Sequence, residues 1–387
     1  MAVNRRKKFQ VILTFEILIV IVLAVFAVLL IKMNKINRES VDAKKVNAKD
    51  IKGFTNIMLF GVDARGSELK NSTRSDTMIL VTINEKTKEV TLTSFYRDYY
   101  AFSPSKANSD KPIKLDSSEF DKLTHAYNKG AEASLKEINT NFDLDVTDFV
   151  TVNFIALVRV IDELGGIEID VPQKLISEIN KYGGEIAKKH KESFTKVTKA
   201  GPQTLNGYQA LGYSRTRHKD SDFHRSQRQR EVINKVFEKF KTGANITKAN
   251  ALYNAVAENM TTSFKTKDLI ALMADAPKYK IRKEINSDLG NGFPYNPVEY
   301  KSNGVSYQIS KTPEDDIVKL HYNLFNNGVL PAEYTTNESS SSTSSETTTE
   351  ASTEPTTEAT GNGYKYTPTA TVKLITSYLQ SCYDSKY

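Results

Sequence analysis

The chain begins with an apolar run that is long enough to cross a lipid bilayer. Residues 11–31 read VILTFEILIVIVLAVFAVLLI, interrupted only by Thr14 and Glu16. A bilayer core takes about 20 helical residues. A cleavable signal peptide has an apolar region of about 7–15 residues and then a small-residue cleavage site, which is missing here. We therefore predict a basic cytoplasmic tail over residues 1–10, a transmembrane anchor over 11–31 and an extracytoplasmic remainder, although the balanced flanking charge does not fix the orientation.

Composition excludes several classes of site. The chain has 387 residues, five scattered histidines and one cysteine, Cys382. One cysteine rules out an intrachain disulfide, a zinc ribbon and an iron–sulfur cluster. The formal net charge is +7, which favours anionic partners such as phosphates, phospholipid surfaces or nucleic acid.

The chain between the anchor and residue 330 alternates strand-like and helix-like patterns. Residues 32–52 are predicted to form a polar stalk and residues 53–330 a single α/β domain, an αβα-type mixed sheet flanked by helices. The predicted strands are 56–60, 77–83, 90–95 and 167–171. The predicted helices are 123–139, 153–164, 203–211, 222–241, 248–260 and 266–274. Residues 181–200 are polar and basic, and are predicted to form an exposed loop.

The C-terminal part changes in composition. Residues 335–360 are almost entirely Ser, Thr and Glu, with nothing to bury, and predict a disordered linker. In the short segment 361–387, four residues fall on one face of a possible helix: Val372, Ile375, Leu379 and Cys382. Such a face indicates docking on another surface, and the sequence assigns no further role to it.

A cluster of basic residues, YSRTRHKDSDFHRSQRQR, occupies residues 213–230. A helix beginning at Asp222 would place Arg225 and Gln229 on one face, with its apolar far half in the core and Arg230 turned away to solvent. Arg215 and Arg217 alternate as in a strand. The cluster is typical of a solvated face, of a nucleic-acid site or of a phosphate pocket. Nucleic acid is disfavoured because no aromatic residues interleave with the basic ones.

Further charged residues stand where predicted strands end. Asp63 and Arg65 follow the first strand, Asp76 precedes the second, and Arg97 and Asp98 follow the third. Ligand crevices form at strand ends in open α/β sheets. Two separated carboxylates with several arginines suit a magnesium–diphosphate site.

An ordered set of motifs resembles the LytR-CpsA-Psr family of cell-envelope transferases. The motifs are GVDAR, RSDTMIL, SFYRD, HAYNKG, LGGIEIDVP, LNGYQALGYSRTRH and DFHRSQRQRE, and they run from Asn56 to Phe240. One departure is Tyr96, because the family usually has proline before this Arg-Asp pair.

The resemblance implies an extracytoplasmic enzyme of a Gram-positive-type envelope. Its donor would be a polyprenyl diphosphate-linked glycopolymer, such as a teichoic acid or a capsular polysaccharide, and its acceptor would be peptidoglycan. By motif position, Asp63 and Asp76 resemble ligands of Mg²⁺ (or Mn²⁺). The expected diphosphate-binding residues are Arg65, Arg97, Arg215, Arg217, Arg225 and Gln229.

Arg97, Asp98 and Asp222 are the expected catalytic residues. Asp98 and Asp222 are better candidates for the general base than Asp76, because a carboxylate on a metal ion is a poor base. Residues 149–161 could line a channel for the lipid or belong to the ordinary core. Two alternatives remain open: a hydrolase that cleaves the diphosphate with water, and a non-catalytic receptor for anionic polymer or lipid.

Overall fold

The computed structural model describes residues 36–63, 69, 74–104, 116–216, 222–243, 252, 255–282, 292–331 and 364–387. The predicted anchor (11–31) and the predicted linker (335–360) lie outside these ranges. None of the described helices has the length and apolar character that crossing a membrane requires.

The domain is built on one mixed sheet. Its strands, together with those of three small ribbons, are β1 (Asn37–Arg38), β2 (Phe54–Val62), β3 (Ser75–Asn84), β4 (Glu89–Phe95), β5 (Tyr100–Phe102), β6 (Phe120–Lys122), β7 (Asp148–Asn153), β8 (Ile167–Val171), β9 (Gly201–Leu205), β10 (Met260–Thr262), β11 (Lys280–Ile281), β12 (Gly292–Phe293), β13 (Pro297–Ser302) and β14 (Val305–Ser310). The main sheet runs β1-β10-β7-β2-β3-β4-β11, and β12 also pairs with β4. β2 is antiparallel to β3 and parallel to β7, which makes the sheet mixed.

Helices cover both faces of this sheet. They are α1 (Ala131–Phe142), α2 (Phe154–Glu163), α3 (Ile176–Lys189), α4 (Gly207–Arg215), α5 (Asp222–Gly243), α6 (Thr266–Asp275), α7 (Pro313–Phe325) and α8 (Ala370–Asp384). A 3-10 helix, Leu123–Lys129, precedes α1. The predicted mixed sheet flanked by helices is confirmed.

The two faces of the sheet belong to separate apolar clusters. Met58 and Leu80 point into a large cluster that also contains residues of α1, α7 and α8. Ile57 and Ile79 point the other way, against α5 and α6. Because side chains alternate between faces along a strand, β2 and β3 supply core residues to both layers.

The main strands and the helices over 153–164, 222–241 and 266–274 agree with the predictions. Several local predictions differ from the structure. Residues 203–205 of the predicted helix 203–211 belong to β9, and residue 260 of the predicted helix 248–260 belongs to β10. Within the predicted stalk, β1 pairs with β10 and Val46 is fully buried in the core. Within the predicted loop 181–200, α3 extends to Lys189, and its Gly183 packs closely against the carbonyl of Tyr208. Arg215 ends a helix, so it is not part of a strand.

The C-terminal segment docks on the domain, as its pattern predicts. Val372, Ile375 and Leu379 of α8 belong to the same apolar cluster as Met58. Ahead of α8, the Tyr366 ring stacks on the His321 imidazole with ring centroids 3.5 Å apart. The imidazole Nε2 lies 2.7 Å from the carbonyl oxygen of Phe142.

His321 should make stability depend on pH in a direction that its surroundings set. Burial lowers the pKa of His321 to about 4, whereas an unfolded histidine titrates near 6.5. The unfolded chain therefore binds the extra proton first, and the contribution of neutral His321 is lost as pH falls from about 6.5 to about 4, by up to about 3 kcal/mol.

The measurement is the free energy of unfolding of the wild-type chain minus that of His321→Asn across this window. Taking the difference cancels the contributions of other titratable groups. One of these is Asp316: burial raises its pKa to about 6, so its contribution to stability grows as pH falls. A difference that stays constant from pH 6.5 to pH 4 would contradict the prediction.

Candidate active site

One cavity of about 400 Å³ lies between the sheet and helices α2, α4 and α5. Much of its wall is apolar and is formed by Leu59, Val150, Val152, Phe154, Leu157, Leu211, Val232 and Ile233. Its polar lining includes Asp76, Thr77, Arg97, Asn153, Ser214, Arg215, Arg225 and Gln229. The cavity thus combines an apolar wall with a strongly cationic part.

A β-bulge sets the position of Asp76. Gly61 pairs with Thr77, and the next residue of β2, Val62, pairs with Ser75, so Asp76 is the extra residue on β3. A bulge bends the strand and redirects a side chain. Close pairing here requires glycine, because a Cβ atom at Gly61 would lie 2.9 Å from Thr77 Cβ.

Arg97 lies at the centre of a chain of charges that begins at Asp76. Its Nη1 donates to Asp76 Oδ1 at 2.5 Å, and its Nε lies 3.4 Å from Asp98 Oδ2. The other oxygen of Asp98 lies 3.0 Å from Lys122 Nζ. Asp98 is therefore held between two cations.

The turn that carries Arg97 is fixed by backbone bonds on both sides. The Thr124 amide donates to the Arg97 carbonyl at 3.0 Å, and the Thr124 hydroxyl donates to the Ser75 carbonyl at 2.8 Å. The Tyr96 amide donates to the Phe293 carbonyl at 3.0 Å, a bond that proline cannot make. Thr124 therefore ties the Arg97 turn to the strand end beside Asp76.

Helix α4 brings Arg215 to the cavity. Asn206 caps the helix: its side chain accepts from the Gln209 amide while the Gln209 side chain accepts from the Asn206 amide. Gly212 allows close packing on α3, since a Cβ there would lie 2.4 Å from the Ile179 carbonyl oxygen. At the end of α4, the Arg215 guanidinium lies 4.6 Å from the centre of the Phe154 ring, within cation–π range.

Asp63 follows β2 beside this guanidinium. Asp63 Oδ2 lies 3.9 Å from Arg215 Nη1, and Oδ1 lies 3.5 Å from Lys189 Nζ. The Asp63 side chain keeps 46% of its surface exposed. Lys189 was not predicted, because it stands in a lysine-rich segment that is indistinguishable from a solvated surface.

Helix α5 divides its arginines between two sides. Arg225 and Gln229 line the cavity. Arg228 donates to the Thr216 carbonyl at 2.9 Å, and Arg230 donates to Ser94 Oγ at 2.8 Å. The expectation that Arg230 points to solvent is wrong: it is 3% exposed, because the far side of α5 packs against β4 and β8.

The structure brings five of the predicted site residues to one cavity: Asp76, Arg97, Arg215, Arg225 and Gln229. Asp63 and Asp98 contact members of this group. Arg65 and Arg217 lie outside the described residues. Asp222 is described only as the first residue of α5. The roles of all these residues stay predictions.

The magnesium site predicted at Asp63 and Asp76 stays a prediction. Among the described residues there is no group of three or more His, Cys, Asp or Glu side chains arranged to hold a metal. Magnesium, however, is usually bound by one or two carboxylates and by phosphate oxygens. Asp63 and Asp76 offer such hard oxygen donors at the ends of neighbouring strands.

The LytR_cpsA_psr family model matches residues 24–323. The chain belongs to this family. A match of this extent includes β1–β14, the main sheet and every described residue of the cavity. α8 lies beyond it.

Two relatives illustrate the range of the family. Biofilm regulatory protein A of Streptococcus mutans is 36% identical over 56% of this chain, and the match covers 51% of that protein. The polyisoprenyl-teichoic acid–peptidoglycan teichoic acid transferase TagT of Bacillus subtilis is 30% identical over 69% of this chain and 80% of its own length.

Solved structures of TagT share the fold. TagT bound to LI-WTA aligns with a TM-score of 0.56 at 27% identity, over 74% of this chain and 99% of that one. TagT with bound octaprenyl pyrophosphate lipid aligns with a TM-score of 0.52 at 25% identity, over the same shares of both chains.

Arg230 should be a stability residue. Arg230→Ala removes a buried charge-assisted hydrogen bond and leaves a gap beside Ser94. We expect the free energy of unfolding to fall by about 2–4 kcal/mol. Arg159→Ala is the matched control, since 46% of that side chain is exposed, and it should change stability by no more than about 0.5 kcal/mol. Urea denaturation followed by circular dichroism measures both, and equal effects would contradict the assignment.

Proposed function

We propose that this protein transfers a glycopolymer from a polyprenyl diphosphate carrier to a sugar hydroxyl of peptidoglycan. The observation that carries the proposal is the two-part cavity, in which an apolar wall adjoins Arg97, Arg215 and Arg225. A polyprenyl diphosphate has the same two parts, an apolar chain and a strongly anionic head. TagT, a transferase with this fold, has been solved with octaprenyl pyrophosphate bound.

The apolar wall suits the lipid chain. Val150, Val152, Phe154 and Leu157 line the cavity, whereas Phe149 in the same segment is fully buried in the core. Residues 149–161 therefore supply both cavity-lining and core side chains, and we assign the cavity-lining ones to the lipid channel. Burial of each methylene of the lipid contributes about 0.8 kcal/mol.

The arginines suit the diphosphate and the transition state. The acceptor hydroxyl oxygen attacks the phosphorus that carries the glycan, and the bond from that phosphorus to the bridging oxygen breaks. The lipid leaves as its monophosphate, the glycan becomes attached through a phosphodiester, and the hydroxyl proton passes to a base. Phosphoryl transfer depends mainly on positioning and on stabilisation of charge. The forked guanidinium groups of Arg97, Arg215 and Arg225 can supply both.

Asp63 and Asp76 would hold a magnesium ion against the diphosphate. When bound, the ion would neutralise phosphate charge as a Lewis acid. Arg97 and Arg215 now contact these two carboxylates. Both guanidinium groups can exchange these contacts for phosphate oxygens when the donor binds.

The general base remains a choice between Asp98 and Asp222. Asp98 lies next to Arg97 but is held by Lys122 as well. These contacts favour an orienting role for Asp98 and thereby Asp222 as the base. The Asp98→Asn variant separates the two roles: an orienting residue should lower turnover equally at every pH, whereas loss of the base should also remove the acidic limb of the pH–rate profile.

The predicted diphosphate-binding arginines can be tested by turnover. Arg215→Ala or Arg225→Ala should lower the release of lipid phosphate by about 30- to 1000-fold, equivalent to about 2–4 kcal/mol of transition-state stabilisation. Lysine at either position keeps the charge but loses the fork, so it should restore activity only in part. Arg159→Ala is the control.

The same assay distinguishes the alternatives. Release that requires peptidoglycan identifies a transferase, whereas equal release without acceptor identifies a hydrolase. Tight binding of donor without release identifies a receptor. Small, equal effects of all the arginine variants would refute the diphosphate-binding assignment.

The metal assignment predicts a loss of metal-dependent turnover in the variant with Asp63→Ala and Asp76→Ala together. The variant should have no activity that Mg²⁺ or Mn²⁺ restores, while its melting temperature in chelator stays close to that of the wild type. Wild-type turnover that persists in excess chelator would show that no metal ion is needed.

We further propose that the domain lies outside the cytoplasmic membrane, held by a transmembrane helix at residues 11–31 with the N-terminus in the cytoplasm. The peptidoglycan acceptor and the apolar run support this location. Protease added to intact, wall-stripped cells should degrade the domain. Complete protection would reject this topology.

A further inference from the structure

The C-terminal segment, residues 364–387, follows the residues that the family model matches, and residues 332–363 connect it to the domain. α8 nevertheless packs on α1, α7 and β14. Val372, Ile375 and Leu379 are each no more than 1% exposed, while Leu374 on the opposite side is 42% exposed. The helix therefore presents one apolar face to a groove that the domain provides.

Polar groups in the groove are also matched to this segment. The Asp143 carboxylate, in a residue only 4% exposed, accepts hydrogen bonds from Tyr366 Oη at 3.0 Å, the Thr369 amide at 2.9 Å and Thr369 Oγ1 at 2.8 Å. Lys49 Nζ lies 3.3 Å from the same group. Without the segment, Lys49 would be the only one of these partners left.

The segment reaches the ribbon that leads to Arg97. The Tyr378 ring of α8 lies 4.5 Å from the Phe120 ring of β6, and Phe120 in turn lies 5.1 Å from the Tyr100 ring of β5. β5 begins three residues after Arg97. Just after β6, the amides of Leu123 and Thr124 donate to the carbonyls of Tyr99 and Arg97.

We propose that residues 364–387 act as an intrachain clamp on the β5–β6 ribbon and thereby position Arg97 for the transfer reaction. The proposal rests on the proposed function. An arginine that binds the transition state must be held within a fraction of an ångström before the substrate arrives. A ribbon of two three-residue strands gives little rigidity by itself. Asn141 of α1 holds one end of it through two hydrogen bonds with the Phe102 backbone, and the docked helix adds support on the Phe120 side.

Two substitutions on α8 form a matched pair. Leu379→Asp places a carboxylate in the buried face and should release the segment, whereas Leu374→Asp makes the same change on the exposed side. We expect Leu379→Asp to lower kcat by at least about tenfold with a smaller change in KM, because Arg97 is misplaced while the lipid cavity is intact. Leu374→Asp should match the wild type.

Undocking itself can be measured. Cys382 is the only cysteine of the chain and is 7% exposed. Its reaction with a thiol reagent should be slow in the wild type and in Leu374→Asp, and fast in Leu379→Asp. Thr369→Val removes the cap of α8 and a bond to Asp143. This variant should weaken docking mildly and replaces Leu379→Asp if that variant fails to fold. The rate of Cys382 labelling should rise in Thr369→Val, and kcat should fall.

Rescue distinguishes a clamp from a general loss of structure. A synthetic peptide of residues 364–387 should restore kcat of Leu379→Asp, and the peptide carrying the same substitution should not. Full turnover with Cys382 freely reactive, or no rescue by the wild-type peptide, would overturn the clamp.

Amide hydrogen exchange tests the clamp without any measurement of turnover. If the unmodified chain shows no transfer, the proposed function fails, but exchange still decides the clamp. Undocking should accelerate exchange of the Leu123 and Thr124 amides at least tenfold while β2 and β3 stay protected. Unchanged exchange at these amides would also overturn it.

Discussion

A sheet that is apolar on both faces must be covered on both faces, and this requirement organises the molecule. β2 and β3 send alternate side chains into two clusters. On one side, aromatic residues and helices α1, α7 and α8 pack against the sheet. On the other side, α5 covers the far part of the sheet, and α2 and α4 stand beside it, so that an apolar cavity remains between them.

The charged end of that cavity depends on where regular structure stops. Asp76 leaves the register of β3 at a bulge, Arg97 follows β4, and Arg215 ends α4. Each of these residues lies at or near the end of a strand or helix, which fixes its backbone position. Arg97 is paired with Asp76, and Arg215 is paired with Asp63. A polyanion can enter such an arrangement by exchanging partners with the two carboxylates.

The sequence predicted the main strands well because their apolar residues fall in short runs with clear ends. It predicted α5 because Val232, Ile233 and Val236 repeat at helical spacing. It failed for Arg230, since helical periodicity shows which residues share a face but not whether a second layer covers the opposite one. Arg215 was misplaced because two alternating arginines look like a strand, whereas Arg215 is the last residue of a helix that packs closely on α3 at Gly212.

The site residues also divide into those that a local motif predicts and those that only a long-range contact reveals. Motif position predicted site roles for Asp76, Arg97, Arg215, Arg225 and Gln229, and these five residues line one cavity. Lys189 and Thr124 were missed because each reaches the site through a residue distant in sequence. Lys189 contacts Asp63, which is 126 positions away, and Thr124 bonds Ser75, which is 49 positions away. No local pattern records such contacts.

The contact between Tyr96 and Gly292 has an evolutionary consequence. The Tyr96 hydroxyl occupies the space beside Gly292, where a Cβ atom would lie 2.4 Å from it, and the Tyr96 amide is bonded to Phe293. Proline at position 96 would empty that space and break that bond, while any larger residue at 292 would collide with the tyrosine. Positions 96 and 292 are therefore coupled. A lineage that exchanges tyrosine for proline at position 96 is expected to change the packing of β12 as well.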